Sequence, residues 1–306
     1  MTGRRWIVLT FGSLGAVVAI LAIIAYAVDP YGILRDPTGR KLAVFSNERK
    51  VKFLMNKRYV PTNFDGLLVG TSSSANWDLP LVAGAKIYNE SLEGGDAVEG
   101  RILVNEAMRT GHYKLAVLIL SHAMTWDHSV KDGMDEVNTA GAIGSLYLFS
   151  DEVRTEMIAL HHQFTRSDTA PDGQIELLYS KKLTPVELPS DKLRIDPIAV
   201  EQYRDLINSL KNTGTRIVYV IPPMYEPCHL LNRGYDAHLQ SVRSLLPPGP
   251  VIDFDGPDYA NFRDDSRNYL DCWHLEPRGA AQITGWLQKL VPEAIVPSEV
   301  SASNAK

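Results

Sequence analysis

Residues 65–76 read Asp65-Gly-Leu-Leu-Val-Gly-Thr-Ser-Ser-Ser-Ala-Asn76, a short apolar run that ends in small polar residues. An apolar run of this length is typical of a strand buried on both faces of a parallel sheet. From Phe64 onward, such runs alternate with amphipathic stretches. The alternation predicts an α/β fold in which helices cover a parallel sheet.

The same pattern predicts the individual elements. The predicted strands are Asp65–Gly70, Ala85–Asn89, Lys114–Ser121, Thr215–Ile221 and Pro250–Phe254. The predicted helices are Asp96–Arg109, Pro197–Asn212, Asp236–Leu246 and Pro277–Leu290. Residues 122–196 interrupt the alternation, with helical pieces near residues 135–162, and are interpreted as an insertion that forms a lid or a partner surface.

The composition excludes several classes of protein. The chain has 306 residues, of which 45% are apolar and 22% charged, and its formal net charge is −5. These values are typical of a globular protein and exclude a collagenous or disordered chain. An acidic balance without a zinc-finger, basic-zipper or RNA-binding signature argues against a nucleic-acid partner.

The N-terminus carries a candidate membrane span. Trp6 to Val28 contain no charged residue, and Arg4 and Arg5 precede them. A helix of this length spans about 34 Å at roughly 1.5 Å per residue, enough to cross a lipid bilayer. Two interpretations remain open, because Ala25-Tyr26-Ala27 also resembles a signal-peptide cleavage site. We favour a retained single-pass anchor in the cytoplasmic membrane, with the bulk of the chain in the periplasm or extracytoplasmic space.

The sequence after residue 28 divides into three parts. Residues 29–63 are basic and irregular, and are interpreted as a juxtamembrane arm that is either solvated or bound to anionic headgroups or polymer. Residues 64–292 suit one α/β domain that contains the insertion. Residues 293–306 are small and polar, which is typical of a flexible tail.

The loop after the first predicted strand contains a candidate nucleophile. In an open parallel sheet, ligands bind outside the carboxyl ends of the strands. Ser72 follows the first strand on a tight turn, where a histidine base can activate a serine hydroxyl. Taken alone, a serine here is more often a helix cap. The elbow G-x-S-x-G is not met, since Ser74 stands at its second glycine.

Two further loops contain groups that suit such a serine. Gly94 and Gly95 precede a helix that opens at Asp96, and backbone N–H groups at such a start can stabilise an oxyanion. Before the last helix, Asp271 precedes His274 by three residues, a spacing that lets a carboxylate orient an imidazole base. Each loop alone also has a structural explanation, a glycine turn or a helix cap.

Together the three loops resemble the SGNH (GDSL-like) hydrolase superfamily over about residues 64 to 290. The resemblance assigns the family's serine to Ser72, its second-block glycine to Gly94 after Asn89, and its terminal Asp-x-x-His to Asp271 and His274. It implies a flavodoxin-like three-layer fold with serine esterase or acyl-transfer chemistry, and no cofactor.

Two positions depart from the family pattern. Thr71 replaces the usual aspartate before the serine, and Ser121-His122-Ala123-Met124 stands where the third-block asparagine is expected. The oxyanion hole therefore lacks its usual side-chain donor, a loss worth on the order of 10² in rate. A residue of the insertion substitutes for it, or the enzyme is slow.

The membrane span joined to such a domain resembles membrane-anchored proteins that modify cell-envelope polymers, such as teichoic-acid D-alanyl transfer proteins. Alginate-type O-acetyltransferases are similar in role, but their Asp-x-His upstream of the serine has no counterpart before Ser72. The resemblance implies that an acyl group on Ser72 passes to a cell-envelope polysaccharide. A multispanning membrane acyltransferase is the implied partner.

The implied mechanism begins when His274 deprotonates Ser72 while Asp271 fixes the histidine tautomer. The N–H groups of Ser72 and Gly94 bind the oxyanion, and water or a polymer hydroxyl resolves the acyl-enzyme. Two alternatives remain open: a catalytically inactive SGNH-like domain that binds polymer or scaffolds a membrane complex, and a membrane-anchored lipase or thioesterase.

The two cysteines lie in loops that the implied fold brings together. Cys228 follows the fourth strand and Cys272 follows the fifth, so a disulfide is possible in an oxidising compartment. Two unpaired thiols are the alternative.

Other polar and aromatic clusters carry weaker signals. No metal is predicted, because the candidate ligands in this region form no compact metal-ligand motif. These candidates are His122, Asp127, His128, His161 and His162. Three of the five tryptophans either line a carbohydrate groove or belong to the core and its rim: Trp77, Trp126 and Trp273.

Overall fold

The structure is a computed structural model of the chain. It describes residues 3–29, 31–39, 44–45, 48–130, 134, 168–175, 177 and 180–295. The predicted helical pieces near residues 135–162 lie outside the described residues, as does nearly all of the predicted tail.

Five parallel strands form the central sheet: β1 (Gly66–Val69), β2 (Ile87–Asn89), β3 (Leu115–Ile119), β4 (Arg216–Ile221) and β5 (Val251–Asp253). Their spatial order is β2-β1-β3-β4-β5, and every neighbouring pair is parallel. This is the strand order of flavodoxin-like doubly wound sheets. The predicted α/β fold is confirmed, and each strand lies within its predicted limits.

Most helices of the described residues flank this sheet, and the first one lies at the N-terminus. They are α1 (Gly3–Val28), α2 (Glu48–Met55), α3 (Tyr59–Asn63), α4 (Ala97–Met108), α5 (Ala123–Trp126), α6 (Pro197–Asn212), α7 (Glu226–Leu231), α8 (Tyr235–Leu245), α9 (Ala260–Asp264) and α10 (Pro277–Ile295). Two short strands, Val44–Phe45 and Asp168–Thr169, pair antiparallel apart from the sheet.

Alternating strand side chains enter two separate cores, because successive residues of a strand point to opposite faces. Leu67 and Val69 of β1 pack in a cluster with residues of α4 and α6, including Val104 and Leu206. Leu68 of β1 packs in the other cluster with residues of α10. The molecule therefore has three layers, with the sheet in the middle.

Residues 48–63 differ from the predicted irregular, solvated arm. They form α2 and α3, and Val51, Leu54 and Met55 of α2 are buried in the core. Their spacing places them on one face of a helix, so the segment is amphipathic despite its basic residues. Lys52 is itself fully buried.

The helix α1 is, among the described residues, the one long and apolar enough to cross a membrane, and a signal sequence has the same character. Its end is fixed to the domain. The Asp29 carboxylate is buried and accepts hydrogen bonds from the backbone N–H groups of Ile33, Leu34 and Arg35. Tyr31 is 1% exposed and lies in the core cluster against which Ala25 packs.

Candidate active site

Ser72 lies just beyond the carboxyl end of β1, at the start of a single 3-10 turn over Ser72–Ser74. The turn requires a glycine at position 70, because a Cβ there would overlap the side chains of Ser74 and Ile119. Ser72 remains half-buried, whereas Ser73 and Ser74 are buried. The sequence thus leaves one hydroxyl of the three accessible.

Ser72, His274 and Asp271 form a continuous chain of hydrogen bonds. The Oγ of Ser72 lies 2.8 Å from Nε2 of His274, although the two residues are 202 positions apart. The Nδ1 of the same ring lies 2.7 Å from Oδ2 of Asp271. These distances let the imidazole take a proton from the serine while the carboxylate fixes its tautomer.

The position of Asp271 is fixed by its own loop. Its Oδ1 accepts hydrogen bonds from the backbone N–H groups of Trp273 and His274, both at 2.9 Å. Burial raises the pKa of Asp271, but the hydrogen bond and charge of His274 and the two N–H groups outweigh burial and hold the pKa below its usual value. The carboxylate therefore stays ionised at neutral pH.

The loops after β1 and β2 are bound to each other. The Nδ2 of Asn89, at the end of β2, donates to the carbonyls of Ser74, Ala75 and Trp77 at 2.9, 3.2 and 3.1 Å. Its Oδ1 accepts the N–H of Ser91 at 2.9 Å. In the sequence, Asn89 serves only to locate Gly94, but its side chain holds the serine turn in place.

Gly94 follows in the same loop with φ at +57°, a left-handed conformation that favours glycine. It lies with Ser72 along one cavity. The next residues begin α4, whose first turn is capped by Asp96, which accepts the N–H of Glu99 at 2.9 Å. Burial raises the pKa of Asp96 to about 6. The geometry thus brings Ser72, His274, Asp271 and Gly94 to one site.

The cavity beside Ser72 has a volume of about 530 Å³, within the range of small-molecule sites. Aromatic, aliphatic and proline side chains form much of its wall: Trp126, Val186, Leu188, Pro189, Pro222, Pro223, Tyr235 and Trp273. The charged residues along it are Asp96, Asp127, Glu187 and Lys192.

The loop after β3 also reaches the cavity, through Ser121 and His122. Ser121 is buried, and neither its Oγ nor the Nδ1 of His122 has a hydrogen-bond partner in the described part of the chain. Burial lowers the pKa of His122 to about 4, and the nearby charges of His238 and Lys192 act in the same direction. His122 is therefore a neutral imidazole at neutral pH.

Cys228 and Cys272 are joined as a disulfide, with their Cα atoms 5.7 Å apart. Cys228 lies on α7, and Cys272 directly precedes Trp273 and His274. The bond connects the loop that carries His274 to the element after β4.

Those histidines considered as metal ligands that lie in the described part of the chain do not converge on one site. His122 and Asp127 line the cavity. His128 lies at the surface, with its Nδ1 2.5 Å from Oδ2 of Asp196. His161 and His162 lie outside the described residues.

A different group, which the sequence did not reveal, has candidate metal-ligand atoms within 4.8 Å of one another: His229, Asp236 and Asp255. Arg263 already contacts the His229 ring and the Asp255 carboxylate, at 2.9 and 3.4 Å. Its guanidinium supplies positive charge to this group.

The three tryptophans considered for a carbohydrate groove lie partly in the core and partly along the cavity. Trp77 is fully buried in the core, so it does not line a groove. Trp126 and Trp273 line the cavity. The Nζ of Lys192 lies 2.8 Å from the centroid of the Trp126 ring, so one face of this ring is covered by a cation.

Lys52 and Glu90 form a buried pair of opposite charge beneath the Gly94 loop, which the sequence did not indicate. The Nζ of Lys52 donates to the carbonyls of Asn89 and Ser91, at 2.7 and 2.6 Å. Burial lowers the pKa of Lys52 to about 8 and raises the pKa of Glu90 to about 7, and in each case the charge of the other residue acts against burial. The basic residues of α2 gave no signal that one of them was internal.

No protein-family model matches the chain, and no curated protein matches its sequence. Among solved structures, the chain is similar to one from Streptococcus pneumonia that is provisionally described as a platelet activating factor. The two share 11% sequence identity at a TM-score of 0.43, over 80% of this chain and 91% of the other. The chemistry of the site therefore has to follow from its own residues.

Proposed function

We propose that this chain is a serine acyl-ester hydrolase or O-acyltransferase whose nucleophile is Ser72. The hydrogen-bonded chain from Ser72 through His274 to Asp271 supports this proposal most strongly, with distances of 2.8 and 2.7 Å. Both contacts are within the range that general-base activation of a serine requires.

In the first step, His274 takes the Ser72 proton on Nε2 while Oγ attacks the ester carbonyl. The electron pair of the carbonyl bond moves onto its oxygen, which the N–H groups of Ser72 and Gly94 stabilise. Asp271 holds Nδ1 protonated and stabilises the imidazolium that forms. Collapse of the intermediate returns the proton from His274 to the leaving alcohol and leaves an acyl group on Ser72.

In the second step, water or a hydroxyl group attacks the acyl-enzyme, and His274 takes its proton. Collapse of the intermediate breaks the bond between the acyl carbon and Oγ of Ser72, and His274 returns the proton to Oγ. Water gives hydrolysis, whereas a sugar hydroxyl gives transfer. We place the enzyme at the outer face of the cytoplasmic membrane, acting on a cell-envelope polysaccharide, with a multispanning acyltransferase as the donor of acyl groups. This placement rests on α1 and on the family resemblance.

A retained anchor suits the contacts at the end of α1 better than cleavage does. The backbone N–H of Asp29 donates to the carbonyl of Ala25 at 3.0 Å, and Ala25 packs against the core. Cleavage after Ala27 would remove both contacts.

A membrane-anchored lipase or thioesterase is the second candidate. The apolar and aromatic wall of the cavity favours it, since such a wall suits an acyl chain longer than acetyl. The inactive scaffold is less favoured, because such a protein would not require His274 within hydrogen-bond distance of Ser72.

A fluorophosphonate probe tests the proposal on the full chain in detergent. We expect labelling of the wild type and none of Ser72→Ala or His274→Ala. Ser73→Ala serves as the matched control and should retain labelling, because the Ser73 hydroxyl is bonded to Thr71 rather than to His274. A folded wild type that does not react would favour the scaffold.

A series of p-nitrophenyl esters then separates the two candidates. The highest kcat/KM for the acetyl ester would favour O-acetyl chemistry. A maximum at a longer chain would favour the lipase or thioesterase.

A further inference from the structure

We propose that Ser121 is the side-chain hydrogen-bond donor of the oxyanion hole, in place of the asparagine that this chain lacks. The inference rests on the proposed function, since it assigns a further residue to the same site. Three observations support it: Ser121 follows β3 at the level at which Ser72 follows β1, its hydroxyl group has no hydrogen-bond partner among the described residues, and it lines the same cavity as Ser72.

The register of the sheet brings Ser121 and Ser72 to the same level beyond the strand ends, and both line the cavity. In the parallel pair of β1 and β3, Val69 lies opposite Leu118. Ser72 is three residues beyond Val69, and Ser121 is three residues beyond Leu118. The close approach of the two strand ends is also visible at Gly70, where an added Cβ would overlap the Ile119 side chain.

The opposite flank of Ser72 is formed by the loop after β2. Thr71 forms a parallel bridge with Leu92, two residues before Gly94. Because β1 lies between β2 and β3 in the sheet, Ser72 has the Gly94 loop on one side and Ser121 on the other. An ester oxygen bound at Ser72 is therefore open to donors from both neighbouring loops.

The Ser121 hydroxyl differs from the other serine and threonine hydroxyls that line the cavity. Ser72 is bonded to His274, Ser73 to Thr71, and Ser129 to Asp127. Ser121 is 4% exposed, and its Oγ has no partner within the described residues. A buried hydroxyl without a partner is destabilising, so its retention at the cavity wall suits an oxygen that arrives with the substrate.

The chemistry of a hydroxyl fits this task. A serine O–H rotates freely and can donate to an oxygen that gains negative charge as Ser72 attacks. The neutral side chain adds no competing positive charge at the site. Ser121 and the N–H of Gly94 thus both donate hydrogen bonds to the oxyanion, and Ser121 takes no proton from the substrate.

The test measures the second-order rate constant for fluorophosphonate labelling of the full chain in detergent. When the probe reacts, a P–O bond forms at Ser72, fluoride leaves, and the phosphoryl oxygen occupies the oxyanion hole. We expect Ser121→Ala to lower the rate constant by about 10²-fold. Ser121→Thr, which keeps the hydroxyl group, should recover most of the rate.

The matched control is Thr125→Val. The Thr125 hydroxyl is also fully buried and has no hydrogen-bond partner among the described residues, but it does not line the cavity. We expect this variant to label at the wild-type rate. Ser121→Ala should keep the wild-type pH profile of labelling and should not lower the melting temperature, because the hydroxyl that it removes makes no hydrogen bond within the described residues.

The outcomes separate this inference from the proposed function. A wild type that labels, with Ser121→Ala labelling equally fast, overturns the role of Ser121 and leaves Ser72 as nucleophile. A slow Ser121→Ala whose pH profile is shifted or whose melting temperature is lowered also overturns it, in favour of a structural role. A folded wild type that does not label overturns both proposals.

Discussion

The carboxylate of Asp271 accepts three hydrogen bonds, two from its own loop and one from His274. The loop bonds fix the carboxylate, and the third bond decides which nitrogen of the ring carries the proton. This arrangement leaves Nε2 of His274 as an acceptor that faces Ser72. The reactivity of Ser72 therefore depends on a residue that does not touch it.

Asp271→Asn should lower the labelling rate of Ser72 on the order of 10³-fold or more with little loss of stability. The asparagine oxygen can keep the two backbone hydrogen bonds. Its NH₂ group, however, would donate to Nδ1 and force the proton onto Nε2, which could no longer accept the serine proton. Asp265→Asn, at a surface carboxylate bonded to Arg267, is the control and should label normally. Equal rates in the two variants would contradict the role of Asp271.

Glu90→Gln tests the buried charge beneath the Gly94 loop. Because burial raises the pKa of Glu90 from 4.5 to about 7, the unfolded chain releases this proton at a lower pH than the native protein. Below about pH 4.5 the carboxyl group is protonated in both states and does not lower the free energy of unfolding. As the pH rises from 4.5 to about 7, the free energy of unfolding falls, because the unfolded chain releases the proton more readily. We expect the free energy of unfolding of Glu90→Gln to rise relative to that of the wild type as the pH increases from 4.5 to 7, because only the wild type loses stability through this carboxyl group.

Urea denaturation at several pH values measures this difference. Glu201→Gln, at an exposed position on α6, controls for the loss of one negative charge. A difference between Glu90→Gln and the wild type that stays constant from pH 4.5 to 7 would show that Glu90 titrates normally.

At the scale of elements, the site depends on how the ends of β1 and β2 are joined. The Asn89 side chain forms four hydrogen bonds to backbone groups, three of them in the segment after β1. The hydroxyls of Ser74 and Ser91 add a further contact at 2.8 Å. Asn89 thereby couples the serine turn to the Gly94 loop.

Asn89→Ala should lower the free energy of unfolding by about 2 to 4 kcal/mol, because it leaves several buried backbone groups without partners. It should also slow labelling of Ser72 at least about tenfold, since a misplaced nucleophile loses its alignment with His274. Denaturant unfolding and probe kinetics measure the two effects. Asn212→Ala, at an exposed position on α6, should change neither. A destabilised Asn89→Ala that labels at the wild-type rate would separate Asn89 from the site.

At the scale of the whole molecule, α1 combines an end that contacts the domain with an apolar surface that the domain leaves exposed. The end of α1 is tied to the core through Ala25, Asp29 and Tyr31, while the apolar window of the helix is not buried by the protein. An apolar surface of this length suits the interior of a bilayer.

We therefore expect the full chain, expressed in bacteria, to stay with the membrane fraction after carbonate extraction and to keep residues 1–28 by intact mass. Leu14→Arg should weaken this association, because an arginine near the centre of a span costs about 3 kcal/mol on insertion scales. Leu81→Arg, at a leucine of similar exposure outside α1, is the control. A mature mass that lacks residues 1–27 would instead identify a signal peptide.

The sequence alone determined the elements of this protein and the residue types in their loops. Apolar runs and helical periodicity are local properties, so β1 to β5, α4, α6, α8 and α10 could be located without a structure. The loops that carry Ser72, Gly94 and His274 were recognisable for the same reason, since each is a short motif next to a predicted element.

The tertiary structure decided which of these groups meet. The contact between Ser72 and His274 spans 202 residues and depends on the strand order and on the path of the chain after β5. The same holds for the burial of Lys52 and Glu90 and for the presence of Ser121 on the cavity that Ser72 lines. Local pattern carries no information on such contacts, because burial and partners depend on packing between distant segments. For that reason α2 looked like a solvated arm, although it supports the loop at the centre of the site.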